Sequence, residues 1–367
     1  MLPLNWQRVR LGDICEINPP TIIPNVFYYI DLENVEKGQL LNKQLMTKNK
    51  APSRARRLLS KNDILYQLVR PYQRNNYFFT LNGNYVASTG YAQIRTLQNP
   101  SFLYFALHSN YFVNAVLDRC EGTSYPAISS NELKKCEVIL PPLNEQSAIA
   151  NILSGLDRYL CALDALILKK EGVKKALSFE LLSQRKRLKG FNQAWQRVRL
   201  GDIANYLTSN LSVEQITQQG KIKVYDVNNF IGYTDTTFIS DKPYISIVKD
   251  GSVGRVRILP PKTNILSTMG ALIANHRTTT EFLFYLLSNF DFKNFTSGSI
   301  IPHIYFKDYK EKTIFLPPLN EQIAIANILS DLDNEIASLK NKKRQFENIK
   351  KALNHDLMSA KIRVLEK

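Results

Sequence analysis

Two stretches of this chain occur twice, and this internal repeat limits the possible folds more than any other feature. The segment from Trp6 to Ile14 returns unchanged at Trp195 to Ile203, and Leu140 to Asp157 returns at Leu316 to Asp333 with two changes. The first offset is 189 residues and the second is 176, so the segment between the shared blocks is 13 residues longer in the first half. A constant frame with divergent contents predicts one scaffold that presents two different binding surfaces, related by a pseudo-twofold.

Composition sets broad limits on the class of protein. A chain of 367 residues with 44% hydrophobic residues can bury sizeable cores. The four cysteines form no CxxC pair, which indicates a reducing compartment and predicts neither a disulfide nor a zinc site. The N-terminal segment lacks a signal-peptide pattern and no run of eighteen apolar residues occurs, so the sequence predicts a soluble cytoplasmic protein.

The net charge of +16 is spread along the chain and is not concentrated in a tail. A distributed basic balance, with a sequence pI near 9.5, suits a polyanion such as DNA, because each Lys or Arg contact to a phosphate releases counterions. An excess of lysine can also serve solubility alone, so charge leaves both readings open.

After each Pro-Pro pair the apolar residues follow a helical heptad pattern. The first seam consists of Ile149, Leu153, Leu156, Leu160, Leu163 and Ile167. The second seam begins with Ile325, Leu329, Leu332, Ile336 and Leu339. Each segment predicts one helix of about 45 residues and roughly 68 Å, with Asn144 and Asn320 as N-caps. The two seams are expected to pack on each other in antiparallel orientation, although two ordinary core helices in separate domains remain an alternative.

The segments between the shared blocks predict mixed α/β domains with many short strands. Strand-like runs occur at 28–30, 64–69, 77–79 and 85–87 in the first half, and at 244–248 and 254–259 in the second. Helical runs cover 102–117 and 281–289. The expected fold class is α/β (α+β), with two mixed α/β domains separated by two long helices in an antiparallel coiled coil related by a pseudo-twofold. The expected domains are residues 1–143 and 191–319, and the expected helices are residues 144–190 and 320–367.

Catalytic signals are weak throughout the chain. Asn18–Thr21 nearly matches the Asn/Asp-Pro-Pro-aromatic loop of amino methyltransferases, but threonine cannot stack on a flipped base. Asp118, Glu132 and Lys134 have the spacing of a magnesium-dependent nuclease set, which arises often by chance in a charged chain. The histidines lack metal-ligand spacing. The sequence therefore predicts a protein with no catalytic or metal-binding residues.

The Leu-Pro-Pro-Leu-Asn-Glu-Gln blocks, the Trp-x-x-Val-x-Leu-Gly-Asp-Ile blocks and the Gly-Thr/Ser-x-x-Pro loops resemble the specificity (S) subunit of type I restriction-modification systems. The resemblance covers essentially the whole chain in the order of that family. It implies that each recognition domain reads one half of a bipartite DNA target, while the helices set the spacing and dock methyltransferase (M) subunits. It also implies restriction (R) subunits as partners, with S-adenosylmethionine, ATP and magnesium bound by the partners and no cofactor in this chain.

The residues predicted to contact double-stranded DNA lie mainly in loops and near strand ends, where Arg, Lys, Tyr, Ser and Thr can reach base edges or phosphates. In the first domain they are Arg54, Arg56, Arg57, Arg70, Tyr72, Arg74, Ser88, Thr89, Tyr91, Thr123, Ser124 and Tyr125. In the second domain they are Lys249, Ser252, Arg255, Arg257, Ser267, Thr268, Ser297, Ser299, His303 and Tyr305. For each of them a structural or solvated role is an alternative, and for Arg57 that alternative is a fold-stabilising ion pair.

The polar residues that recur at the two helix starts predict two equivalent docking surfaces for two methyltransferase subunits. They are Asn144, Glu145, Gln146, Asn151 and Ser154, repeated as Asn320, Glu321, Gln322, Asn327 and Ser330. A recent duplication would also leave the two copies alike. Two further readings stay open: a specificity subunit whose partner fuses methylation and cleavage, and a coiled-coil scaffold that tethers two protein-binding domains.

Overall fold

The computed structural model describes residues 2–3 and 5–364. By the pattern of contacts the chain forms two compact units, Met1–Asp164 with Lys342–Lys367, and Ala165–Asn341. Each unit therefore combines one variable segment with part of both long helices. The borders of these units differ from the expected domain borders at 143, 190 and 319, because each unit includes parts of the helices. The expected borders of the recognition domains stay a prediction.

The first unit is built from short strands and helices that precede a long helix. Its strands are β1 Gln7–Arg10, β2 Cys15–Ile17, β3 Val26–Ile30, β4 Val35–Glu36, β5 Gln39–Leu40, β6 Gln44–Thr47, β7 Ala55–Leu58, β8 Ile64–Gln67, β9 Tyr77–Phe78, β10 Tyr85–Ser88, β11 Tyr91–Thr96 and β12 Glu137–Leu140. Its helices are α1 Leu11–Ile14, α2 Pro100–Ala106, α3 Asn110–Leu117, α4 Ser130–Lys135 and the start of α5 Leu143–Leu182. The predicted helical run 102–117 is thus two helices, because Ser109 caps a new helix.

Two four-stranded sheets carry the recognition domain of the first unit. Their strand orders are β6-β3-β10-β7 and β2-β11-β8-β9, and β3 and β10 are parallel while the other pairs are antiparallel. β8 and β10 are buried at every residue, which explains why all their residues except Gln67 and Ser88 are apolar or aromatic. A separate antiparallel pair joins β1 to β12, so the Trp block lies beside the strand that leads into the Pro-Pro pair.

The second unit repeats this plan with fewer elements. Its strands are β13 Gln196–Arg199, β14 Ala204–Thr208, β15 Ile222–Tyr225, β16 Phe230–Thr234, β17 Tyr244–Val248, β18 Val256–Leu259, β19 Asn264–Ile265, β20 Met269–Ala274 and β21 Thr313–Leu316. Its helices are α6 Thr280–Ser288, α7 Phe306–Tyr309 and the start of α8 Leu319–Met358. The sheet β14-β20-β17-β18 matches β2-β11-β8-β9, and the pair β13-β21 matches β1-β12. The two variable segments are therefore divergent copies of one mixed α/β fold, as predicted.

The long helices α5 and α8 each contain 40 residues, so each is about 60 Å long and shorter than expected. The backbone N–H groups of Gln146 and Gln322 donate to the carbonyls of Pro142 and Pro318, each at 2.9 Å. The helices accordingly begin directly after the second proline. The prediction of N-caps at Asn144 and Asn320 is wrong, because both residues lie within the first helical turn.

The two seams pack on each other in antiparallel orientation, and this prediction is confirmed within each unit. In the first unit, Ile149 and Leu153 near the start of α5 share one buried cluster with Leu357 near the end of α8. In the second unit, Leu181 near the end of α5 shares a cluster with Leu329 near the start of α8. Each cluster hides apolar surface that a single helix would expose to water.

Ion pairs flank the buried seam in the same antiparallel register. In the first unit Lys350 bonds Asp157, and Lys343 lies 2.6 Å from Asp164. In the second unit Lys174 lies 2.5 Å from Asp333. The pair Asp157–Lys350 becomes Lys174–Asp333 when each residue is shifted by the repeat offset of 176, so the two helices exchange roles between the units. Complementary charges beside an apolar seam fix the register of paired helices.

Candidate nucleic-acid interface

The repeated blocks of the first unit meet around a buried carboxylate. The indole Nε1 of Trp6 donates to Glu145 Oε2 at 3.0 Å, and the guanidinium of Arg363 donates to both oxygens at 3.1 and 2.8 Å. The carboxylate of Glu145 is almost fully buried. The bonds from Arg363, followed by the bond from Trp6, hold the pKa of Glu145 below its ordinary value against the opposing effect of burial.

The second unit contains the same arrangement. Trp195 Nε1 donates to Glu321 Oε2 at 3.0 Å, and Arg187 donates to Oε1 and Oε2 at 3.1 and 2.6 Å. Each arginine follows the end of one long helix and reaches the glutamate that opens the other. Sequence reasoning missed both arginines, although their spacing of 176 residues was the available signal.

The repeated glutamines connect the helix starts to the recognition domains. Gln146 accepts a bond from the backbone N–H of Asn99, the N-cap of α2, at 3.1 Å and donates to Pro141 O at 2.8 Å. Gln322 accepts from Thr279, the N-cap of α6, and donates to Pro317 O at the same two distances. The side-chain amide thus ties the Pro-Pro turn to the next helix of the domain.

Most of the residues predicted to dock methyltransferases have structural roles instead. Glu145, Gln146, Glu321 and Gln322 are buried and engaged as described, so their assignment to a docking surface is corrected. Ser154 bonds Ser101 at 3.1 Å, and Ser330 bonds Tyr285. Four members of the set remain exposed on the helix surface: Asn144, Asn151, Asn320 and Asn327.

In the first unit, backbone hydrogen bonds bring four predicted DNA-contacting segments together. The N–H of Arg70, after β8, donates to Pro126 O of the Gly-Thr-Ser-Tyr-Pro loop at 2.7 Å. The N–H of Leu68 donates to Gly90 O at 3.0 Å, in the turn between β10 and β11. The N–H of Thr89 in the same turn donates to Arg54 O at 2.8 Å. Three loops and one turn therefore converge at one end of the sheets.

The second unit repeats two of these bonds, and its third bond reaches a different segment, because Leu211 follows β14 whereas Arg54 precedes β7. The N–H of Gly251, after β17, donates to Pro302 O at 2.8 Å. The N–H of Lys249 donates to Thr268 O at 3.1 Å, and the N–H of Ser267 donates to Leu211 O at 2.8 Å. We call each of these convergent groups a loop cluster: residues 53–57, 69–74, 88–90 and 121–127 in the first unit, and 209–212, 249–255, 266–268 and 297–305 in the second.

The loop clusters contain most of the predicted contact residues and leave many of them exposed. The exposed members are Arg54, Arg56, Tyr72, Thr123, Ser124, Tyr125, Ser252, Arg255, Thr268, Ser297, Ser299 and Tyr305. The partly exposed members are Arg57, Arg70, Arg74, Thr89, Lys249, Ser267 and His303, and Arg257 lies in β18 beside the cluster. Ser88 and Tyr91 are buried at 1% and 0% exposure, so the prediction that their side chains contact DNA is corrected.

The arginines of the first loop cluster differ in how far the fold already occupies them. Arg54 forms an ion pair with Asp31 and donates to Tyr29. Arg56 donates to Ser53 O at 2.7 Å, and Arg74 donates to His108 O and to Asn110 at 3.0 and 2.7 Å.

Arg57 is half-buried, and burial followed by the charge of Arg56 lowers the pKa of its guanidinium. Its Nε has no hydrogen-bond partner among the described residues. In the second unit Arg257 donates to Asn228 O at 2.9 Å and stacks on Tyr225.

Two residues that the sequence offered as catalytic candidates have structural partners in the fold. Asn18 adopts a left-handed conformation, accepts from Gln93 N and donates to Ser130, so it joins β11 to α4 as a structural turn. Glu132 is paired with Lys135 at 2.6 Å. Over residues 2–3 and 5–364, no group of three His, Cys, Asp or Glu side chains is placed to hold a metal ion. Across those residues, no helix has the length and apolar character needed to cross a membrane.

His108 lies inside the first unit and is tied to the fold. Its Nδ1 is 2.7 Å from Tyr104 O, and its ring packs edge-on against the Tyr104 ring. Burial, together with the nearby charges of Lys350 and Arg74, lowers the pKa of His108 to about 4, although the hydrogen bond to Tyr104 O acts in the opposite direction. The imidazole is therefore neutral at physiological pH.

The chain belongs to the family described as the type I restriction modification DNA specificity domain, whose model matches residues 3–170 and again residues 192–348. It therefore carries two copies of this DNA-recognition domain, one in each half. The two matches coincide with the two halves of the internal sequence repeat, and each contains one loop cluster.

Individual relatives agree with the family assignment. The type I restriction enzyme MjaVIII specificity subunit of Methanocaldococcus jannaschii is 22% identical over 99% of this chain and 94% of that protein. The S subunit of a type I restriction-modification system from M. genitalium has a similar fold, with a TM-score of 0.65, 19% identity and 96% of both chains covered. The HsdS subunit from Thermoanaerobacter tengcongensis gives a TM-score of 0.52 at 22% identity over 98% of both chains.

Proposed function

We propose that this chain is the non-catalytic DNA-reading subunit of a type I restriction-modification complex, in which each recognition domain reads one half of a bipartite target. The observation that carries the proposal is the pair of loop clusters. In both clusters, backbone hydrogen bonds at corresponding positions join the loop after β8 or β17 to the Gly-Ser/Thr-Pro loop and to the turn before β11 or β20, yet the exposed side chains differ. One frame with two unlike surfaces suits two unlike half-sites, because side chains in loops read base edges while the frame fixes their position.

The long paired helices suit the second part of this function, which is to set the spacing of the half-sites and to bind partner subunits. Asn144 and Asn151 are seven residues apart, so they lie on one exposed face of α5, and Asn320 and Asn327 repeat this face on α8. Leu143 and Leu319 are also exposed beside them. Two equivalent surfaces match two methyltransferase subunits.

In this proposal the chemistry belongs to the partners. The methyltransferase subunits bind S-adenosylmethionine, the restriction subunits use ATP and magnesium, and this chain supplies recognition in the cytoplasm. Its distributed positive charge supports the binding of duplex DNA by phosphate neutralisation.

The direct test is an electrophoretic mobility shift with the chain assembled with its methyltransferase subunits. The complex is expected to prefer duplexes that contain two specific blocks separated by a fixed gap, and purified chain with magnesium alone is expected to leave DNA uncut. Binding without any sequence preference would favour a protein-tethering scaffold. Magnesium-dependent cutting that Glu132→Ala abolishes would favour a nuclease.

The docking faces are tested with Asn151→Arg combined with Asn327→Arg. A long charged side chain at the centre of both repeated faces is expected to abolish the binding of two methyltransferase subunits, measured by native mass spectrometry. The matched control is Ala162→Arg with Ser338→Arg, two exposed helix positions about three turns further along. Loss of the partners in the control as well, or full assembly of the Asn variant, would contradict the assignment of these faces.

A further inference from the structure

Arg70 occupies a backbone position that is unfavourable for a residue with a side chain. Its φ is 55° and its ψ is 54°, a left-handed conformation, and Pro71 follows directly. The corresponding residue of the second unit, which makes the same hydrogen bond to the opposite loop, is Gly251 with φ 83°. Glycine adopts this conformation without strain, whereas arginine does not. The first domain therefore keeps an arginine where the shared backbone favours glycine.

The side chain of Arg70 is held in place by an aromatic ring. Its guanidinium carbon lies 4.1 Å from the centroid of the Tyr125 ring, which comes from the opposite loop of the cluster. Stacking on an aromatic face holds a guanidinium plane by cation–π attraction and leaves its N–H edge available. Within the part of the chain that the structure describes, this guanidinium donates no hydrogen bond and forms no ion pair. Arg54 and Arg74 in the same cluster are already bonded to the fold.

We propose that Arg70, held by Tyr125, reads a guanine in the half-site of the first domain by bidentate hydrogen bonds to O6 and N7. This inference rests on the proposed function and names the residue that sets one of its specificities. A stacked guanidinium presents the planar fork that matches the two guanine acceptors.

The comparison of the two units favours a base over a phosphate as the target of Arg70. Phosphates are the same in both half-sites, so a phosphate contact at this position would suit both domains. The second domain has glycine at the corresponding position and so cannot make this contact. This difference is expected if the arginine reads a base that only the first half-site contains.

The decisive variant is Arg70→Gly, because glycine removes the side chain and also relieves the backbone strain. Its thermal midpoint is expected to equal or exceed that of the wild type, so a loss of recognition cannot come from misfolding. Arg70→Lys keeps the charge but lacks the planar fork, and Tyr125→Leu removes the ring beneath the guanidinium. The control for charge is Arg8→Ala, an exposed arginine of β1 that lies outside the loop cluster.

The measurement is selection of bound duplexes from a randomised DNA pool by the chain assembled with its methyltransferase subunits. For Arg70→Gly the preference for guanine at one position of one half-site is expected to fall by about ten- to hundred-fold. The other half-site is expected to stay unchanged. Arg70→Lys is expected to lose most of the preference and Tyr125→Leu part of it, while Arg8→Ala keeps the motif.

Two results would overturn the inference alone: a wild-type bipartite motif that Arg70→Gly leaves intact, or an equal loss of affinity for all sequences, which identifies a phosphate contact. A wild-type complex without any bipartite preference would overturn the proposed function together with the inference. The inference about Arg70 and the proposed function are therefore refuted by different results.

Discussion

Pairing of the start of α5 with the end of α8 can be measured as an energetic coupling between Leu153 and Leu357. The two side chains are 0% and 1% exposed and share one buried cluster with Trp6. Leu153→Ala removes three carbons, which is worth about 2.4 kcal/mol of transfer free energy. The residual cavity adds a further cost, so the total loss is about 2.5–5 kcal/mol. Because the residues belong to one cluster, the double variant is expected to deviate from additivity by about 0.5–3 kcal/mol.

The assay is equilibrium unfolding in guanidinium chloride, followed by the fluorescence of Trp6. The chain has two tryptophans, so a Trp195→Phe background makes Trp6 the sole reporter. Leu168→Ala is the matched control, because Leu168 lies on the same helix and is 68% exposed, and it is expected to change stability by less than about 0.5 kcal/mol. Additivity of the Leu153 and Leu357 variants, or an equal cost for Leu153→Ala and Leu168→Ala, would refute the paired seam.

Two further predictions concern buried polar groups. Trp6→Phe and Trp195→Phe each remove an indole donor from a buried carboxylate. Each is expected to lower the free energy of unfolding by about 1.5–3 kcal/mol, measured by denaturant titration with circular dichroism. A clear effect of one variant with almost none of the other would contradict the equivalence of the two Trp–Glu arrangements. His108 has a folded pKa of about 4, below its unfolded value. The free energy of unfolding is therefore expected to decrease by up to about 3 kcal/mol as the pH is lowered from roughly 6.5 to 4. His108→Gln should flatten this pH dependence, and a flat wild-type profile or an equal effect of the exposed His276→Gln would contradict the assignment.

Sequence reasoning predicted the long helices and their pairing because heptad spacing is a direct signature of buried helix–helix contact. Leu153 and Leu329 are both fully buried at the positions that the seam requires. The helix starts were predicted less well. The carbonyl of Pro142 accepts the first bond of α5, and a proline carbonyl gives no compositional signal of the kind that a capping side chain gives.

The candidate interface was predicted at the level of loops and less well at the level of residues. The Gly, Ser/Thr and Pro loops are the segments that the structure brings together, because such residues form exposed turns. Tyr91 was included with them although it is buried, because β11 is covered on both faces over its first four residues and a short sequence does not show which strands are covered in this way. Glu145 was assigned to a partner because repetition suggested a shared ligand, whereas the repeat reflects a buried bond to Trp6.

The most direct test of the central claim is single-molecule sequencing of DNA modified by this chain assembled with its methyltransferase partner. Two unlike loop clusters on one repeated frame predict a single adenine-methylated motif made of two different specific blocks with a fixed unspecified gap. Exchange of residues 204–315 for the corresponding segment of another specificity protein should change one block and leave the other. A continuous motif, or a segment exchange that alters both blocks or neither, would contradict the account.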